Sequence, residues 1–358
     1  MKIVEIIEEL LPIVYPFKVV SVEKDESNQE VHIHLTIEKS YAAPAGHKVH
    51  QYYNRTWEHV NLFQYRCFLH CRVPIYKDEQ TGKTKALEIS FSRSNSRFTI
   101  LFEHKVMELM KLYHCPTKVA KQLKLYPQRI SDIYHFYTQS SYENHQVNAC
   151  ERIGIDETST RKGHNYISAF VDLDTSQIID IQDGRGSDVI EKFFHEHPYP
   201  PIVKDISVDM SPAFSSGIES FFPWAKVTFD KWHVFRLLGK HLDKIYRKFK
   251  SPYVTILHEH LREFYQSKSI NDAKAHLTFI ADFAEQQFGK NSFSKSIHRH
   301  FDGIVEQIRS KINNGILEGI NSKIQTIKRV AKGFRIIDNF KKMILFVFGV
   351  IQPDFKTT

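Results

Sequence analysis

The chain has 358 residues, 42% of them hydrophobic and 25% charged, with a formal net charge of +8 and a pI near 9.0. These values describe a folded globular protein rather than a disordered or fibrous one, and at ~150 residues per domain the length suggests about two or three domains. The basic balance points to a polyanionic partner. Cys67, Cys71, Cys115 and Cys150 make no disulfide framework and no Cys-x-x-Cys pair, which fits a reducing compartment. The amino terminus has no charged segment ahead of an apolar core, and the chain has no apolar run of ~18 residues. Even Met343–Ile351 is too short to span a bilayer, so a cytosolic protein without a membrane partner is expected.

Residues 1–98 read as a β-rich module. Val31 to Ile37 alternates with period two, as a half-buried strand does, and Arg66 to Val73 repeats the pattern. Asp78 to Lys83 reads as a turn. His70 lacks the spacing to Cys67 and Cys71 of a zinc site and is expected to pack in the core. Residues 1–46 hold four lysines against eight acidic residues, so the basic excess lies elsewhere.

Over residues 99–148 the period becomes helical. Phe102, Val106, Leu109, Met110 and Tyr113 form one apolar stripe. Pro116 to Leu123 follows, then a turn at Lys124-Leu125-Tyr126, and Pro127 opens a further helix. Two short helices joined by such a turn form the helix-turn-helix pattern, in which Lys118, Lys121, Gln128 and Arg129 would face DNA. Lys124 stands where glycine is usual. The alternative is a plain helical hairpin between domains.

Residues 149–350 predict an α/β domain. Ile153–Asp156, Tyr166–Asp172 and Gln177–Ile181 read as three successive strands, then helix 188–197, strand 202–208, helix 211–222, strand 226–229 and a helix from Trp232 to about Phe249. That order is the one found in ribonuclease-H-like folds, a mixed sheet with helices. Residues at about 250–310 read as a helical insertion. Residues 311–350 carry eight Lys or Arg against Glu318 and Asp338, in one or two basic helices.

Three acidic positions invite metal chemistry: Asp156 and Asp209 in or just after apolar strands, and Glu318 heading a basic helix. Carboxylates converging from distant segments can hold two divalent cations for phosphodiester chemistry, and Mg²⁺ needs only a few of them. Asp156 and Asp209 serve only if their strands are neighbours. Each has a plainer reading: Asp156 as a turn residue, Asp209 as a helix cap, Glu318 as a surface acid paired with Lys323. Asp172, Asp174, Asp205 and Asp230 compete as ligands. Lys162 and His164 form a basic turn suited to a phosphate, or simply a hairpin loop. Asp230 reads as a helix cap, followed by Trp232, expected to pack beneath the site or else to stack on a flipped base, and His233.

Several ordered strings resemble the DDE transposases of the ISL-three insertion-sequence family. They are Gly154-Ile155-Asp156-Glu157-Thr158 with Arg161-Lys162-Gly163-His164, Val208-Asp209-Met210-Ser211-Pro212-Ala213-Phe214, Phe229-Asp230-Lys231-Trp232-His233-Val234 and Glu318-Gly319-Ile320-Asn321-Ser322-Lys323-Ile324. Lys328-Arg329-Val330-Ala331-Lys332-Gly333-Phe334-Arg335 with Asn339-Phe340 completes the match, which spans roughly residues 97–348.

The resemblance implies that Asp156, Asp209 and Glu318 bind Mg²⁺ or Mn²⁺. It also implies hydrolysis at the ends of a mobile element and attack of the freed 3′-hydroxyl on target DNA. Double-stranded DNA would be the partner, Lys323, Lys328, Arg329, Lys332 and Arg335 would lie along it, and pairing two ends implies a homo-oligomer. The alternative is a non-catalytic DNA-binding regulator descended from such an enzyme. Two departures stand out. Tyr41 to Gly46 and Arg72 to Lys77 lack the cysteines of the family's amino-terminal zinc module, so zinc is not expected, and Trp232 is commonly Phe.

Overall fold

The computed structural model describes residues 3–11, 13–143, 149–160, 165–197, 202–312, 315–353 and 355. They form two compact units, Met1–Ser140 with Pro353–Thr358, and Ser141–Gln352.

The first unit opens with a helix that sequence periodicity had not indicated, α1 (Ile3–Leu10), followed by β1 (Phe17–Asp25), β2 (Glu30–Ile37), β3 (His47–Leu62), β4 (Tyr65–Asp78) and β5 (Thr84–Ala86). The strands form one sheet, β1-β2-β4-β3, with β5 added to β4. Alternation decides its two faces. Val31, Ile33 and Leu35 of β2 and Cys67, Leu69 and Cys71 of β4 point into a core around the fully buried Trp57. Burial pushes the Cys67 thiol up to about 12 and that of Cys71 to about 11. His70 is not in that core, contrary to expectation, because it lies between two inward cysteines on the same strand. It faces outward, with His32 Nδ1 3.0 Å from His70 Nε2 and the His34 ring stacked at 5.0 Å.

Three helices complete this unit: α2 (Ile100–Tyr113), α3 (Pro116–Leu123) and α4 (Pro127–Glu143). The Thr99 hydroxyl caps α2 by accepting from the Phe102 N–H at 3.3 Å. Glu103 is wholly buried, yet its carboxylate accepts from Arg93 Nε at 2.9 Å, Ser96 Oγ at 2.6 Å and Tyr137 Oη at 2.8 Å. Those partners offset the desolvation of a buried charge and tie α2 to α4. Between α3 and α4, Lys124 adopts φ 56°, the left-handed conformation that glycine takes without strain.

The second unit contains β6 (Arg152–Ser159), β7 (Tyr166–Asp172), β8 (Gln177–Asp183), α5 (Asp188–Glu196), β9 (Asp205–Val208), α6 (Pro212–Phe221) and β10 (Lys226–Phe229). Helices α7 (Lys231–Phe249), α8 (Tyr253–Phe264), α9 (Ile270–Phe288), α10 (Ser292–Ser310), α11 (Gly315–Val330) and α12 (Ile337–Phe348) follow. The sheet order is β10-β9-β6-β7-β8, with β9 and β10 parallel to β6, and β7 and β8 running as an antiparallel hairpin from it. Strand β9 is shorter than the sequence pattern suggested, starting at Asp205.

Each strand face meets a different helix layer. Ile153 and Ile155 join the core that contains Val189 and Phe193 of α5, Phe214 of α6 and the apolar faces of α7 to α10. Gly154 faces the other way, against α11. A Cβ there would lie 2.7 Å from Leu317 Cδ2 and 2.8 Å from Leu173 Cδ2, so the missing side chain is what lets α11 approach β6.

A second close approach holds α10 on β10. A Cβ at Gly303 would lie 2.4 Å from two ring carbons of Phe229, which is buried and flanked edge-on by His300. Gly303→Ala gains ~1 kcal/mol of helix propensity, but overpacking against a fixed ring costs about 1–3 kcal/mol. We expect net destabilisation, read as a lower urea midpoint. An unchanged or higher midpoint would show that the ring yields.

Candidate active site

Strand register brings the two strand aspartates together. Gly154 of β6 pairs with Ser207 of β9, and two residues beyond them stand Asp156 and Asp209. Phe229 of β10 pairs with Val208, and the next residues are Asp230 and Asp209. Asp156, Asp209 and Asp230 therefore form a row across three parallel strands, where β9 and β10 end. The Asp230 N–H still donates to the Val208 carbonyl at 3.0 Å.

The three side chains are held differently. Asp156 Oδ1 accepts from the Glu157 N–H at 2.8 Å, and its Oδ2 accepts from the Asn321 side-chain amide of α11. Asn321 in turn accepts from the buried Thr158 hydroxyl. Asp209 Oδ1 accepts from the Ser211 N–H at 2.9 Å, and its Oδ2 lies 4.0 Å from His233 Nδ1. Asp230 is buried and caps α7, as expected, accepting from the N–H groups of Trp232 at 2.7 Å and His233 at 3.2 Å.

The electrostatics follow from this crowding. Burial first, and then the neighbouring charges of Asp209, Asp230 and Glu157, push the Asp156 carboxyl up to about 7 against one opposing backbone hydrogen bond. Burial and Asp209 also raise Glu157, partly offset by Arg185, 3.8 Å away, and His233.

Glu318 lies exposed on α11, one turn before Asn321. Residues three apart are neighbours on a helix face, so Glu318 stands beside the Asn321 contact with Asp156. Among the described residues, Asp156, Asp209 and Glu318 do not offer three ligand atoms within 4.8 Å of one another, so as they stand they do not wrap a single ion.

The expected DNA-facing residues divide. Lys118, Lys121, Gln128 and Arg129 are exposed, with Gln128 Nε2 donating to Asp132 at 2.8 Å. Arg129 and the exposed Tyr126 line a groove of about 670 Å³ shared with Arg55 and Arg97, two cations the sequence pattern had not singled out. Lys323, Arg329, Lys332 and Arg335 are exposed. Lys328 instead donates to the Ser159 carbonyl at 2.8 Å and pins α11 to β6. Lys162 and His164 lie outside the described residues.

Trp232 corrects an expectation. It does not pack beneath the site: it is 51% exposed, with the Arg236 guanidinium 4.9 Å from its ring centroid. His233, Arg236 and Lys240 follow one helix face and, with Asp209, Met210 and Ser211, line an open groove of about 350 Å³. Sequence reasoning missed Arg236 and Lys240, although their spacing from His233 could have shown them. It also missed Asn321, three residues after Glu318.

The second unit thus sets aspartates side by side on adjacent strands of a mixed sheet, with an acid-bearing helix and a basic groove alongside. The sequence model of a transposase family of the DDE type, ISL-three, matches residues 153–253 and 253–344, more than half of the chain. The chain belongs to that family. It is similar to the transposase for insertion sequence element IS1001 of Bordetella parapertussis, at 23% identity over 337 residues that cover 80% of this chain and 83% of the relative. A chain from the simian T-cell lymphotropic virus intasome in complex with PP2A regulatory subunit B56 gamma overlaps 49% of this chain and 67% of its own length. At 14% identity and a TM-score of 0.19, that overlap carries no argument. None of the described helices is long and apolar enough to cross a membrane.

Proposed function

We propose that the second unit is a ribonuclease-H-like catalytic domain in which Asp156, Asp209 and Glu318 bind Mg²⁺ or Mn²⁺, and that it cuts DNA at the ends of a mobile element and joins them to a target. One observation carries the reading: Asp156 and Asp209 lie in register on neighbouring parallel strands while Asn321, next to Glu318 on the helix face, holds Asp156. The donor set suits a hard divalent cation, since all three are oxygen ligands and the Asp156 carboxyl is pushed up first by burial and then by the neighbouring carboxylates, a charge that a cation would offset. A divalent cation held by Asp156, Asp209 and Glu318 would supply activation of a water or 3′-hydroxyl and stabilisation of the departing oxygen.

The chain's own residues do the rest. Asn321 fixes the orientation of Asp156, and the Ser211 N–H that of Asp209. His233, Arg236 and Lys240 form a cationic track for the phosphates entering beside Asp209, with Trp232 offering an exposed ring for stacking. Lys323, Arg329, Lys332 and Arg335 extend the basic surface along α11 and beyond, and Lys162 and His164 add a phosphate contact. Helices α3 and α4 act as a helix-turn-helix for the terminal repeats, within a division at about residues 98 and 148 into a β-rich module, this DNA-binding segment and the catalytic domain. Pairing two ends calls for a homo-oligomer on DNA.

The test is a supercoiled plasmid carrying the element's two ends, incubated with the protein in Mg²⁺, Mn²⁺ or EDTA. Metal-dependent cuts at the ends, followed by joined products, are expected. Tight, specific binding of the ends with no cut in either metal would leave the non-catalytic regulator instead. Replacing both Arg236 and Lys240 with alanine is expected to weaken duplex binding and to lower the slope of log affinity against log salt by about 2, at ~0.9 per lost phosphate contact. An unchanged salt slope would remove the track from the proposal.

A further inference from the structure

We infer that the helical insertion carries a second metal site, for a divalent transition ion of the zinc type, formed by His260 and Glu263 of α8 and His276 of α9. One ligand atom from each of the three lies within 4.8 Å of the other two. His260 and Glu263 are one turn apart on α8, with His260 Nδ1 2.9 Å from Glu263 Oε2, and His276 reaches the same point from the neighbouring helix. Beneath them the buried Leu261 and Leu277 are part of one continuous core, so the backbones that present the ligands are fixed.

The donor chemistry separates this site from the strand-end aspartates. Two imidazole nitrogens and one carboxylate favour zinc and its neighbours, whereas Mg²⁺ prefers oxygen donors. Asp272, one turn before His276, places Oδ1 3.5 Å from His276 Nε2, the arrangement by which a carboxylate orients a ligating histidine. Its other oxygen accepts from the Lys268 N–H at 3.2 Å. Glu263 and Asp272 together match the charge of a divalent cation, and partial exposure of both histidines leaves an entry path.

The other compact trio, Asp180, Glu196 and His197, differs in kind. Gln182 Nε2 donates to Asp180 at 2.7 Å and to Glu196 at 2.6 Å, and His197 Nε2 lies 3.1 Å from Asp180, so those groups already satisfy one another. An ion at His260, Glu263 and His276 ties α8 to α9 within the segment that separates β10 from α11.

The experiment titrates Zn²⁺ into the full-length, chelator-stripped protein against a chromophoric competitor. His260→Ala and His276→Ala are each expected to lower the affinity of one Zn²⁺ per chain by about 100-fold, and Asp272→Asn by about 10-fold. Asp209→Asn is expected to leave that Zn²⁺ in place, which separates this site from the aspartate row. Zinc-edge X-ray absorption should show imidazole scattering that His276→Ala diminishes. Glu263→Gln, on an exposed helix face, supplies a third ligand variant should a histidine variant lose its fold. Titrations of the ligand variants that superimpose on the parent, or absence of Zn²⁺ binding at micromolar concentrations, would overturn the assignment.

Discussion

Asp209→Asn is expected to abolish metal-dependent cleavage, by on the order of 10³-fold or more, while leaving the fold intact. Removing a charged metal ligand forfeits several kcal/mol of transition-state charge stabilisation, and each 1.36 kcal/mol is about tenfold in rate. The structural role of Asp209 survives the change, since the amide oxygen can still accept from the Ser211 N–H that Oδ1 now engages at 2.9 Å. His233, 4.0 Å from Oδ2, loses only a distant charge. The measurement is the single-turnover cleavage rate in Mg²⁺, with circular dichroism as the fold control. A variant that cuts at the parental rate would sink Asp209 as a ligand, and with it the proposed metal site.

Asp156→Asn is expected to do the opposite to stability. In the metal-free protein the Asp156 carboxyl ionises near 7, against an ordinary value near 3.8. The folded chain thus holds this proton more tightly than the unfolded chain. That contribution to stability is whole below about pH 4 and is lost as the pH climbs through about 7. At pH 8 the buried charge costs on the order of 2–4 kcal/mol. An asparagine removes it, and a flip of the Asn321 amide lets that side chain bond both the new amide and Thr158. In EDTA at pH 8 the variant should therefore unfold at a higher urea concentration, by about 2 kcal/mol, with the difference vanishing near pH 4. Mg²⁺ should narrow the gap, because only the parent gains binding energy in the folded state. Equal midpoints at pH 8 would mean that Asp156 is not the strained carboxyl described.

Much of the fold was legible because it rests on local periodicity. The alternation in Val31–Ile37 and Arg66–Val73 marked β2 and β4, and Pro116, Lys124 and Pro127 delimited α3 and α4. The site was less so. Asp156 and Asp209 could be picked as acids after apolar runs, but their pairing depends on a register across some fifty residues, which no local pattern carries. His70 and Trp232 were misplaced for the same reason. Facing directions depend on neighbours, the inward Cys67 and Cys71 in one case and the guanidinium of Arg236 in the other. Asn321 gave no signal because an amide in a basic helix is unremarkable until Asp156 is seen against it.

The link between Asn321 and Asp156 spans 165 residues of chain. Ribosomes add about 5–20 residues per second, so a nascent chain carries both strand aspartates for roughly 6–22 s before Asn321 is added. Synthesis therefore separates in time the strand that presents Asp156 from the helix that holds its carboxylate. A chain that ends anywhere inside the helical insertion keeps both strand aspartates but lacks Glu318, Asn321 and the Pro353–Thr358 segment that completes the first unit.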